Sequence, residues 1–221
     1  MTLSDSVRSW RTNHTFNIYG SRGLYRQHAR EEKPGSGDLG GFYSDGEAHF
    51  FIEADYADLA YEDLAVKSMN YLAPIAYLNS ISNEVPQWVE TGVGQYFQDS
   101  RWHSARKIFV GEFPNRYSHR EFVKGLASGK VFDPQRIMKS DSPLSTFDHY
   151  SAWAIVTYCM DSGDRTLKAL FLKCIENSVE HKDAFRAFEG RASTLKKEVP
   201  AYIKSLEPPL ITLEVEPYPM F

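Results

Sequence analysis

Apolar positions recur at helical spacing over most of this chain. In residues 86–97, Trp88, Val89, Val93, Tyr96 and Phe97 fall at intervals of three, four and seven or eight. That lays a broad apolar face along one helix, and Pro86 suits its first turn, where a missing N–H removes no bond. Glu90 is the one carboxylate in this run. Gly92 and Gly94 each weaken a helix by roughly 1 kcal/mol relative to alanine, so a helix that keeps both is expected to have something pressed against its backbone.

Upstream the period changes. Residues 15–19 alternate like a strand, 21–30 read as a helix, and 42–52 read as a hairpin turning at Asp45-Gly46. Asp55 can cap a helix over 56–72 whose buried stripe is Leu59, Ala60, Leu64, Ala65, Val66, Met69 and Leu72. Pro74 then kinks or ends that helix, and residues 79–85 form a loop leading into the Glu90 helix.

Downstream, Ser118 and Glu121 have the spacing of a capping box, and Gly129 stops the helix they open. Asp133-Pro134 starts a short helix. Residues 148–158 form a strongly apolar one, closed by Gly163. Asp164 caps the next helix through Asn177, residues 183–188 make a short turn, and Ser193 caps a last helix interrupted at Pro200. Residues 208–221 carry four prolines and read as extended, an added edge strand or a clamp on a partner.

Composition adds bounds. With 221 residues, 42% hydrophobic and 14% aromatic, the chain can build one packed domain. No run of eighteen apolar residues exists, so no membrane span is expected, and the N-terminus lacks the apolar run of a signal peptide. The expected location is the cytoplasm, or outside the cell if a leader has been removed. Cys159 and Cys174 fall in separate helices and read as buried, reduced thiols. The net charge of −4 hides an asymmetry: eight acids and no Lys or Arg between Lys33 and Lys67, against seven bases with only Glu112 and Glu121 over 101–130. The default reading is a solvated face on each side, and no nucleic-acid module accompanies the basic one. Gly35, Gly37 and Gly40 match a nucleotide-loop spacing, but Pro34 stands where a strand is required, so the match is discounted.

The run Pro-x-Trp-Val-Glu-x-Gly-x-x-x-Tyr-Phe of residues 86–97 resembles the third-ligand helix of the gluzincin metallopeptidases, in particular the bacterial peptidase-MA-like domains. The Gly-Gly-Phe-Tyr strand at 40–43, the Tyr-x-x-Ala-Trp helix from Tyr150, and Ala-Phe-x-x-Phe at 184–188 resemble other parts of the same family in the same order. The resemblance implies an α+β, zincin-like fold: a small N-terminal sheet and hairpin on a mainly helical body. It makes residues 1–206 a single domain with a divergent part at 1–39, followed by the tail at 207–221.

In that family a His-Glu-x-x-His helix about twenty residues upstream supplies two zinc ligands and the general base. Here the corresponding residues are Val66-Lys67-Ser68-Met69-Asn70. Valine offers no ligand, asparagine only a neutral amide, and protonated Lys67 both repels a metal and cannot activate water. Glu90 alone survives. Tyr150 or His149 matches the residue that steadies the oxyanion in active relatives. The expectation is therefore a catalytically inactive homologue with no zinc or other cofactor, acting as a binding or structural module for a protein or peptide partner. The alternative is a metal-dependent peptidase with a non-standard set, such as His49 or His149 with Glu90 and Asp55. If the metal is gone, either Lys67 or Asn70 is expected to face Glu90 and offset its charge, or Glu90 turns to solvent with Lys67 on the surface.

Overall fold

A computed structural model of the chain describes residues 15–19, 21–32, 41–44, 47–51, 61–104, 107–109 and 115–206. The Gly35–Gly40 loop, the Asp45-Gly46 turn, Asp55, the start of the 56–72 helix and the tail lie outside the described residues.

Eight α-helices dominate what is described. The α+β class expected from the sequence is thereby corrected: the architecture is mainly helical, and strands are short and marginal. The physical reason lies in where apolar surface is buried. Nearly every large buried side chain sits on a helix and packs against another helix, so helix-on-helix contact forms the main core.

α3 (Gln87–Phe97) is the centre, packing most extensively on α6 (Thr146–Asp161) and next on α2 (Tyr61–Ile81). Its two glycines explain how one helix serves both neighbours. A Cβ on Gly92 would lie 2.6 Å from the Ala152 carbonyl oxygen and 2.6 Å from Val156 Cγ2 of α6. A Cβ on Gly94 would lie 2.8 Å from the Tyr71 ring of α2 and 2.9 Å from the Tyr71 carbonyl oxygen. Each glycine lets one partner backbone come into contact, as the composition of this helix implied. Trp88 and Trp153 are both fully buried in the surrounding core, where Trp88 packs on Phe171 and Phe188.

α4 (Arg116–Ala127) and α7 (Arg165–Val179) flank α6, and α8 (Ala192–Ser205) packs across α4, α5 (Pro134–Met138) and α6. The capping signals are sorted by the structure. Asp133 and Asp164 cap α5 and α7 as expected. The cap of α4 is Asn115, in the left-handed region at φ 43°, which accepts from the Ser118 N–H; Ser118 is thus inside the helix and the expected capping box is not formed. The box instead opens α6, where Ser145 and Asp148 cap each other. Asp148 is buried, and Arg136 of α5 binds it through both terminal guanidinium nitrogens. Burial works to raise its pKa, but the hydrogen bonds from Arg136 and Ser145 prevail and hold it below the ordinary carboxylate range. α8 starts at Ala192 after Arg191 with no side-chain cap from Ser193, and it runs through Pro200 without interruption.

In α2 the helix does not end at Pro74, and one residue of the expected buried stripe falls elsewhere. The helix continues through Pro74 to Ile81, because Leu72, Ile75, Ala76 and Leu78 on both sides of the proline are buried and hold it in place. Met69, placed in its buried stripe, is instead 44% exposed.

The strands lie at the other side of α2. β1 (Thr15–Tyr19) pairs in parallel with β3 (Glu47–Phe51), which pairs antiparallel with β2 (Gly41–Ser44). On β3, Phe50 packs on Leu72 and Ile75 of α2, while its neighbour His49 meets His28 of α1 (Arg22–Glu32). β4 (Arg101–Ser104) and β5 (Lys107–Phe109) form a separate antiparallel pair. Cys159 and Cys174 are buried free thiols, and burial pushes both up to about 12. Among the described residues no helix is long and apolar enough to cross a membrane.

Candidate functional site

Glu90 sits in the first turn of α3 on the side facing α2. Its Oε1 accepts a hydrogen bond from Asn79 Nδ2 at 2.6 Å, and the same amide nitrogen also donates to the Ile75 carbonyl at 3.0 Å. Tyr71, also on α2, is near enough to feel this charge. Burial and the Glu90 charge raise its phenol to about 12, while the Thr91 hydroxyl works the other way. The polar seat of Glu90 is thus made by Asn79 and its neighbours near the C-terminal end of α2.

The pentad Val66–Asn70 lies at the opposite end of that helix. Asn70 Nδ2 donates to the carbonyls of Ser100 (2.6 Å) and Gln98 (3.4 Å), just beyond the C-terminus of α3. Lys67 Nζ is 3.2 Å from Asp99 Oδ1, and its side chain is 51% exposed. Because α2 and α3 run antiparallel across a short connection, Asn70 and Asn79 are separated by nine residues, about 13 Å along the helix axis. The expected pairing of Lys67 or Asn70 with Glu90 is not formed: Lys67 pairs with Asp99 and Asn70 with the Ser100 and Gln98 carbonyls, while the Asn79 amide donates to the carboxylate. The continuation of α2 past Pro74 to Ile81 is what brings Asn79 to Glu90.

A stability measurement follows directly. Lys67→Ala is expected to cost no more than about 1 kcal/mol, as for an exposed ion pair. Asn79→Ala leaves the half-buried carboxylate without this donor and is expected to cost about 1–3 kcal/mol. Denaturant midpoints for the two variants check the order, and a larger loss at Lys67 would reverse the assignment.

The other candidates occupy separate places. His149 is held near the Leu144 carbonyl, and burial lowers its pKa against that interaction. The Tyr150 hydroxyl lies 3.4 Å from that of Tyr117 on α4, and burial raises its pKa. His49 Nδ1 is 3.0 Å from the Tyr19 hydroxyl and Nε2 is 3.6 Å from Glu47; burial and then His28 lower its pKa, opposed by Glu47 and Glu32. Among the described residues no three His, Cys, Asp or Glu side chains converge as a metal site would need.

What sequence reading missed is a cleft of about 840 Å³ where α2, the end of α3 and α4 meet. A buried polar seam fixes its shape: Asn115 donates to the Gln95 carbonyl (3.1 Å) and to Gln98 Oε1 (2.9 Å), and Ser118 Oγ donates to Gln95 Oε1 (3.0 Å). Lys67, Arg116, Arg120 and Lys124 stand around it. The last three recur at every fourth position, a spacing visible in the sequence that marks one face of a helix. Lys67 joins them only through the packing of α2.

No family model matches this sequence, and no curated protein or solved structure matches it either.

Proposed function

We propose that this chain is a non-catalytic, partner-binding module whose helical scaffold is related to the gluzincin metallopeptidases. The observation that carries the reading is the engagement of Glu90. The only residue retained from the family's ligand set accepts a 2.6 Å hydrogen bond from Asn79, and positions 70, 67 and 66 lie about 2.5 to 3.6 turns from Asn79 along α2. A carboxylate used in this way joins α2 to α3 and has become part of the packing. The binding surface of such a module is the cleft beside Lys67, which is large enough to receive a peptide segment.

The test is metal content and hydrolysis. Protein purified without chelator and without a histidine tag is expected to carry well under one zinc per chain and to leave casein intact. The triple variant Val66→His, Lys67→Glu, Asn70→His is expected to gain no zinc binding that depends on Glu90, since Asn70 is turned to the Ser100 and Gln98 carbonyls while Glu90 is turned to Asn79. Stoichiometric zinc that is lost in Glu90→Ala would overturn the reading in favour of a metal-dependent hydrolase.

A further inference from the structure

We infer that the cleft between α2, α3 and α4 docks an acidic stretch of a partner polypeptide; this rests on the partner-binding reading above and specifies the chemistry of the partner. Lys67, Arg116, Arg120 and Lys124 line the cleft, and Asp99 is the one carboxylate among its lining residues. Asp99 is engaged by Lys67, and Arg120 is shared between Glu121 and the face of the Tyr117 ring. Arg116 and Lys124 have no carboxylate partner among the described residues. Among the described residues the cleft therefore holds more positive charge than its neighbours neutralise.

Geometry narrows the ligand. Arg116, Arg120 and Lys124 form a stripe with steps of about 6 Å along α4. Alternate side chains of an extended peptide stand about 6.6 Å apart on one face. Carboxylates at every second position of an extended segment therefore meet successive cations of the stripe. α4 also has no acid in its first turn and begins with Arg116. The helix dipole disfavours cations there and favours an anion, so a bound carboxylate relieves a charge arrangement that the helix carries alone. Between the charges, Val123, Ala127 and the exposed Tyr117 offer apolar surface for the intervening side chains.

A nucleic acid is the less suitable anion. The whole chain carries −4, with eight acids and no Lys or Arg between Lys33 and Lys67, so a long polyphosphate meets repulsion outside the cleft. Tyr117, the exposed ring at which a base would stack, already has Arg120 over its face at 5.2 Å and Tyr150 packed against it at 5.8 Å.

The experiment uses the full chain and fluorescence anisotropy. The probes are labelled peptides of about twelve residues in which Glu, Gln or Lys alternates with Ala and Leu, together with a single-stranded oligonucleotide of similar length. The Glu peptide is expected to bind, to weaken at least about tenfold between roughly 50 and 300 mM salt, and to lose at least about tenfold in affinity to Arg116→Gln/Lys124→Gln. Lys182→Gln, whose lysine is paired with Glu180, is the control and is expected to leave binding unchanged. The Gln substitutions remove charge from surface positions, and circular dichroism confirms that the variants fold. Equal binding of the Gln peptide, tighter binding of the oligonucleotide, or indifference to the double variant each overturns the acidic-segment assignment. If the Lys or Gln peptide binds and the Glu peptide does not, this inference falls while the binding-module reading stands. If no peptide binds, both fall.

Discussion

Replacing Gly92 with alanine is expected to destabilise the protein by about 2–3 kcal/mol, although alanine is the better helix former. Propensity alone predicts a gain of roughly 1 kcal/mol. Against it stands the α3–α6 contact, in which the new methyl would be 2.6 Å from a backbone oxygen and 2.6 Å from Val156 Cγ2. The valine methyl can rotate away, but the Ala152 carbonyl belongs to the middle of α6 and cannot. Separating two helices that share the main core costs more than the propensity gain. Gly190→Ala provides the contrast, since nothing lies within 4 Å of a Cβ there and no positive φ opposes it. That variant is expected to be neutral or slightly stabilising. Urea midpoints measured on both proteins decide the matter, and a higher midpoint for Gly92→Ala would mean that α3 and α6 are not packed this closely.

The larger loss is expected at Trp153. Its side chain is fully buried on α6, with the His119 ring edge-on at 6.4 Å. Trp153→Ala removes the largest side chain type from a close-packed interior and is expected to cost about 3–5 kcal/mol. Trp153→Phe should recover much of that. The indole Nε1 has no hydrogen-bond partner among the described residues, so phenylalanine forfeits volume without leaving a broken hydrogen bond. Thermal unfolding of the two variants separates packing from hydrogen bonding. A Phe variant as unstable as the Ala variant would show that the indole N–H has an essential partner.

These two positions also illustrate how differently parts of the molecule can be read. Gly92 and Gly94 stand out in the sequence because a helix containing both is locally poor, and close approach of another backbone is the general remedy. The tertiary structure adds which helices approach: α6 at one glycine and α2 at the other. The strand assignments illustrate the opposite case. Alternation along a few residues says little about whether strands or helices carry the core, and here helices do.

By itself the sequence determined the local features whose energies come from neighbouring residues. These include the helix through Trp88 and Phe97, the aspartate caps of α5 and α7, the stops at Gly129 and Gly163, both at positive φ, and the burial of Trp88 and Trp153. Only the tertiary structure decided what Glu90 faces. That depended on whether α2 stops at Pro74, and the choice is made by burial of Leu72, Ile75, Ala76 and Leu78 against distant elements. One extra pair of helical turns moved Asn79 to Glu90 and carried Asn70 to Ser100. Asn115 in a left-handed cap, the Arg136–Asp148 pair and the basic cleft are of the same kind. Each joins residues from separate elements, and a period or motif within one element holds no information about its neighbour across the core.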